Sequence, residues 1–69
     1  MVTKQEAITA RNFVHATVKG KDGQPLRCRA MGKCITWKTR PNEFKLPVKY
    51  GMYQSFYITQ DNAKDWNVA

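Results

Sequence analysis

Apolar and polar residues alternate most regularly between Leu26 and Ile58. Side chains of a strand point to opposite faces in turn, so this spacing predicts β-structure with one buried face. Phe44, Leu46, Val48 and Tyr50 alternate with Lys45, Pro47 and Lys49, which predicts a half-buried strand with a basic outer face. Pro47 cannot donate to a ladder, so the strand is expected at an edge or bent there. Upstream, Leu26, Cys28 and Ala30 share one face and Arg27 and Arg29 the other, while Ile35 and Trp37 lie opposite Cys34, Thr36 and Lys38. The two segments are expected to form a hairpin about Met31-Gly32. A two-residue loop pairs Cys28 with Ile35 and Leu26 with Trp37, and leaves Arg27, Arg29, Thr36 and Lys38 toward solvent. A three-residue loop would set Cys28 across from Cys34 but turn Ile35 and Trp37 to the arginine face, so burial favours the first register. Trp37 is then a core residue. If it lay at the surface it would become a candidate for stacking on a ligand.

The flanking segments complete the expected layout. Thr3-Lys4-Gln5-Glu6 matches a capping box and predicts a helix from about Lys4 to Arg11. Phe13 to Lys19 reads as a strand with Val14, Ala16 and Val18 on one face and His15 and Thr17 on the other, His15 at the surface. Gly20 to Pro25 is a turn, with Asp22-Gly23 supplying the positive φ angle and Pro25 barring the ladder until Leu26. Tyr53 to Thr59 is the last expected strand, with Phe56 and Ile58 on one side and Tyr57 on the other. Thr59 or, preferably, Asp61 is expected to cap a final short helix through Asn62, Ala63 and Trp66, which Trp66 pins to the sheet. The fold class is therefore α+β and predominantly antiparallel β: a small curled sheet or SH3-like partly open barrel of about five strands with short N- and C-terminal helices. A plain meander with two flanking helices is the alternative.

At 69 residues the chain is one small domain, close to the lower limit for independent folding. Two cysteines are too few for a disulfide scaffold and face opposite ways in the favoured register, so reduced, structural thiols are expected. The first twenty residues lack the apolar core of a signal peptide, and the longest aliphatic or aromatic run, Phe56-Tyr57-Ile58, is too short to span a membrane. These features imply a cytoplasmic protein with no membrane partner.

Charge changes the picture more. Twelve Lys and Arg against five Asp and Glu give a net charge of +7. Leu26 to Ile58 holds Arg27, Arg29, Lys33, Lys38, Arg40, Lys45 and Lys49 with Glu43 as its one carboxylate, so nearly all the excess lies on the expected sheet. Such a surface suits an anionic partner, nucleic acid above all. The candidate nucleic-acid-binding residues are Arg27, Arg29, Lys38, Lys45, Lys49 and Tyr57. Basic and aromatic side chains interleave in this way on single-strand platforms, where phosphate contacts supply affinity with little sequence readout. The competing class is a host-protein-binding module using Met31, Tyr50, Met52 and Tyr53 on turns, or the strand from Phe44 to Tyr50 as an edge. Catalysis and metal binding have little support. Cys28, Cys34 and His15 make three scattered candidate ligands with no C-x-x-C pair, and no nucleophile motif accompanies Glu43 and Asp61. No cofactor is implied, and the oligomeric state is left open.

Gly32-Lys33, Thr36-Trp37-Lys38-Thr39-Arg40-Pro41, Glu43-Phe44, Pro47-Val48-Lys49-Tyr50-Gly51, Tyr57-Ile58-Thr59 and Asn62-Ala63 together resemble a small family of uncharacterised phage- and prophage-encoded proteins. The resemblance implies expression in bacterial host cytoplasm and an accessory role. It carries no catalytic or binding residues with it.

Overall fold

The computed structural model describes residues 1–52 and 54–69. Helix α1 spans Lys4–Thr9 and starts at the expected capping box: Thr3 Oγ1 accepts from Glu6 N, and Glu6 Oε1 accepts from Thr3 N. It ends at Ala10, where the backbone turns extended, earlier than the expected Arg11. Ala7 is buried, and Lys4 Nζ donates to the Pro41 carbonyl, so the short helix lies on the sheet instead of standing alone.

Six strands form one antiparallel sheet among the described residues: β1 (Asn12–Lys19), β2 (Pro25–Ala30), β3 (Ile35–Trp37), β4 (Arg40–Tyr50), β5 (Gln54–Thr59) and β6 (Trp66–Val68). β4 is the axis. β5 pairs with one of its edges from Lys45↔Thr59 to Tyr50↔Gln54. The other edge is shared: β2 occupies one end through Arg29↔Lys49 and Ala30↔Val48, and β3 the other through Ile35↔Lys45 and Thr36↔Phe44. β1 lies beyond β2, and β6 beyond β1.

The hairpin expected at Met31-Gly32 does not form. β2 and β3 run in the same direction along β4, and Met31 to Cys34 bulge between them opposite Leu46 and Pro47. The reversal comes later, at Lys38-Thr39, between β3 and β4. Neither expected register survives: Cys28 faces Phe13 of β1, and Leu26 faces His15. Pro47 explains the arrangement. Its carbonyl accepts from Met31 N, so its nitrogen, which carries no hydrogen, faces the same edge, where the extra residues leave the ladder. A proline is thereby accommodated in a strand paired on both sides, so of the two expectations, an edge or a bend, the edge does not hold.

The inner face carries Phe13, Leu26, Cys28, Phe44, Leu46, Val48 and Ile58, all buried, joined by Val2, Ala7, Ala63 and Trp66. Phe13 is the buried face of β1, so Val14, Ala16 and Val18 do not form the core face expected of them. His15 follows Phe13 inward. Its ring meets Trp66 edge-on with centroids 4.7 Å apart, and its Nδ1 lies 3.1 Å from both Thr17 N and Val18 N, at the irregularity that breaks the β1–β2 ladder.

The expected terminal helix is a single 3₁₀ turn, Ala63–Asp65, followed by β6. Asn62, not Asp61, holds this corner: Asn62 Oδ1 accepts from Thr59 N, and Asn62 Nδ2 donates to the Tyr57 carbonyl. Trp66 is buried as expected, but from a strand. It also meets Phe56 of β5 at 5.9 Å. The sheet therefore curls until its two outermost strands meet through aromatic rings, although β5 pairs only with β4 and β6 only with β1 among the described residues.

Candidate nucleic-acid interface

Alternation across β2 and β4 fixes the outer face. Leu26 and Cys28 point inward, so Arg27 and Arg29 point out; Phe44, Leu46 and Val48 point inward, so Lys45, Pro47 and Lys49 point out. Register then sets neighbours. Arg29 lies between Asn12 on β1 and Lys49 on β4, and Lys49 faces Ser55 on β5, which makes one polar row across four strands. Arg27 stands two residues along β2. Asn12, Arg27, Arg29 and Lys49 border one open groove, and Met31 with Arg29 and Lys49 borders the next.

Directly opposed like charges destabilise a sheet, and no acidic side chain lines the groove beside them, which Ala69 also borders. The one ion pair among the described residues is Arg40 Nε to Glu43 Oε2 at 3.4 Å, at the far end of β4. Glu6 is engaged in the helix cap, and Asp22 Oδ1 accepts from Gln24 N in the β1–β2 turn. The groove thus holds three cations with no acidic side chain along its lining.

A second feature lies further along the same face. Tyr57 is 52% exposed, and Lys45 Nζ sits 4.3 Å from its ring centroid. Ile35 faces Lys45 from β3, and Trp37 lies beside Arg40, whose guanidinium is 5.9 Å from the indole centroid. Trp37, Arg40, Lys45 and Thr59 border one shallow hollow, together with the acidic residues Glu43 and Asp61. Trp37 is 38% exposed and Ile35 is also exposed, which corrects the core role expected of both. The cause is the displaced hairpin: β3 sits at the sheet's margin on the outer side of β4, not against Leu26.

Arg27, Arg29, Lys45, Lys49 and Tyr57 are therefore brought to one face as expected. Lys38 is not in this array; it is exposed in the β3–β4 turn. Asn12, Trp37 and Arg40 join the face without having been expected there. Trp37 and Arg40 straddle the turn that alternation alone misplaced.

The residues expected for a protein interface separate. Met31 and Met52 are exposed, Met52 at 91%. Tyr50 is half-buried against the core, and its hydroxyl accepts from Lys21 N at 3.4 Å, so it is not the free loop side chain expected. Tyr53 lies outside the described residues.

Burial raises the Cys28 thiol above its ordinary value. It also raises Cys34, against smaller opposing effects of a Lys45 backbone hydrogen bond and the Lys4 charge. Both are free thiols, Cys28 buried and Cys34 half-buried. No group of three or more His, Cys, Asp or Glu suited to a metal ion occurs among the described residues. No helix of these residues is long and apolar enough to cross a membrane. Comparisons of the chain with protein-family models, with curated proteins and with solved structures found no match.

Proposed function

We propose that this chain is a small, non-catalytic accessory protein of phage type that binds nucleic acid weakly and without sequence preference through the outer face of its sheet. The observation that carries the proposal is the Arg29–Lys49 cross-strand pair, flanked by Arg27 in a groove whose lining holds no acidic side chain. A row of unneutralised cations is the electrostatic footprint of a polyanion partner. The sheet itself is proposed to be an SH3-like partly open barrel. In support, β6, β1, β2, β4 and β5 are neighbours in that order, and the 3₁₀ turn delivers the last strand back to β1. The fold alone implies no function, so the charge array bears the weight.

Fluorescence anisotropy with labelled oligonucleotides from low to physiological salt tests the proposal. If Arg27, Arg29, Lys45 and Lys49 neutralise phosphates, log affinity falls with log salt at a slope of about −3 on single strands. Arg29→Glu with Lys49→Glu abolishes binding and leaves the fold intact, since both side chains are exposed. Absence of binding at low salt overturns the proposal. Salt-insensitive, nuclease-resistant capture of a single host protein, lost when the exposed Met31 and Met52 become Ser, would establish the protein-binding alternative.

A further inference from the structure

Building on the nucleic-acid binding proposed above, we infer that the ligand is a single strand, with bases stacked on Tyr57 and Trp37 while its phosphates follow Lys45 and Lys49 toward Arg29. Three observations converge. Two large aromatic side chains, Tyr57 and Trp37, stand exposed on the outer face, while Phe13, Phe44 and Trp66 are buried. Each has a cation beside its ring: Lys45 Nζ at 4.3 Å from Tyr57, and Arg40, which is paired with Glu43, at 5.9 Å from Trp37. The two sites adjoin, because Lys45 belongs both to the Tyr57 contact and to the hollow bordered by Trp37.

The chemistry separates single strands from duplexes. In a duplex each base face is occupied by the next base pair, so a protruding ring finds no π surface to cover. An unpaired strand offers every base face, and stacking on aromatic side chains tolerates any sequence. The cations have a second role. Lys45 covers part of the Tyr57 ring and leaves the rest open, which holds the ring in place and sets the ammonium group close to the backbone of a stacked nucleotide. From Lys45 the outer positions of β4 lead through Pro47, which faces Tyr57, to Lys49 and its Arg29 neighbour. A base-stacking end and a phosphate-binding end are thus joined along one strand of the sheet.

The test measures affinity for a labelled deoxythymidine oligonucleotide and for a mixed-sequence duplex of the same length, at low salt, with tryptophan emission recorded in parallel. The single strand is expected to bind more tightly. Tyr57→Thr and Trp37→Thr should each weaken single-strand binding by about fivefold or more and leave duplex affinity unchanged, while Tyr57→Phe retains wild-type binding. Emission should be quenched by the single strand in the wild type and not in Trp37→Thr, because the remaining tryptophan, Trp66, is buried. Melting curves accompany each variant, and Tyr57→Thr decides the matter by itself if Trp37→Thr does not fold. Equal affinity for both oligonucleotides, or no effect of Tyr57→Thr, overturns the stacking inference and leaves phosphate binding standing. Loss of all binding by the wild-type protein overturns both.

Discussion

Arg29 on β2 and Lys49 on β4 are directly opposed across an antiparallel ladder, two positive charges on one face with no acidic side chain in the groove they line. Cross-strand pairs of this kind are worth roughly 0.2–1 kcal/mol, with like charges unfavourable. Lys49→Glu should therefore stabilise the domain by about 0.5 kcal/mol at low ionic strength, while weakening oligonucleotide binding. The gain should shrink as salt screens the pair. Urea titrations at two salt concentrations check it. A loss of stability on charge reversal would show that the pair is not repulsive.

The two tryptophans should respond oppositely to truncation. Trp66 is buried between His15 and Phe56, and its loss leaves a cavity where the ends of the sheet meet. Trp66→Ala should cost about 3–5 kcal/mol, comparable with the stability of so small a domain, and abolish the cooperative melt. Trp37→Ala removes a partly exposed side chain at the margin and should cost no more than about 1 kcal/mol. Thermal unfolding followed by circular dichroism separates the two.

His15 should be replaceable in shape but not in hydrogen bonding. His15→Phe keeps an aromatic edge against Trp66 but removes the Nδ1 acceptor for Thr17 N and Val18 N. The expected loss is about 1–2 kcal/mol for two hydrogen bonds. Amide exchange at Thr17 and Val18 should accelerate more than at Phe13, whose side chain lies in the core. Uniform acceleration would mean that the imidazole acts only through packing.

Both thiols should be slow to alkylate at neutral pH, since burial raises them and the thiolate is the reactive form. Cys34, half-buried, should react before buried Cys28. The linkage to stability follows in sign. The unfolded chain ionises its thiols near the ordinary value of 9.0 and the folded chain only above it. The stability associated with the protonated thiols is thus complete below that pH and is lost as pH rises through the folded values. Melting temperature against pH, compared with a Cys28→Ala, Cys34→Ala variant, isolates this contribution. A pH profile identical in the two proteins would exclude it.

Local patterns determined much of this molecule. The capping box starts α1 because Thr3 and Glu6 satisfy each other's amides within one turn. Alternation over Phe44 to Tyr50 placed three hydrophobic residues in the core and three residues outward, since a strand's side-chain period is two whatever it pairs with. The same reasoning put Arg27, Arg29, Lys45, Lys49 and Tyr57 on the outer face. Pairing was a different matter. Alternation says which residues share a face but not which strand lies alongside, and both hairpin registers at Met31-Gly32 satisfied it. Only the tertiary structure set β2 and β3 end to end on β4, because Pro47 lacks the N–H that a continuous ladder needs and the extra residues leave the edge at that position. That choice moved Trp37 from the expected core to the exposed outer face. Likewise, Ala63 to Trp66 is compatible with a helix in isolation; the open edge of β1 and the rings of His15 and Phe56 draw Trp66 into a sixth strand instead.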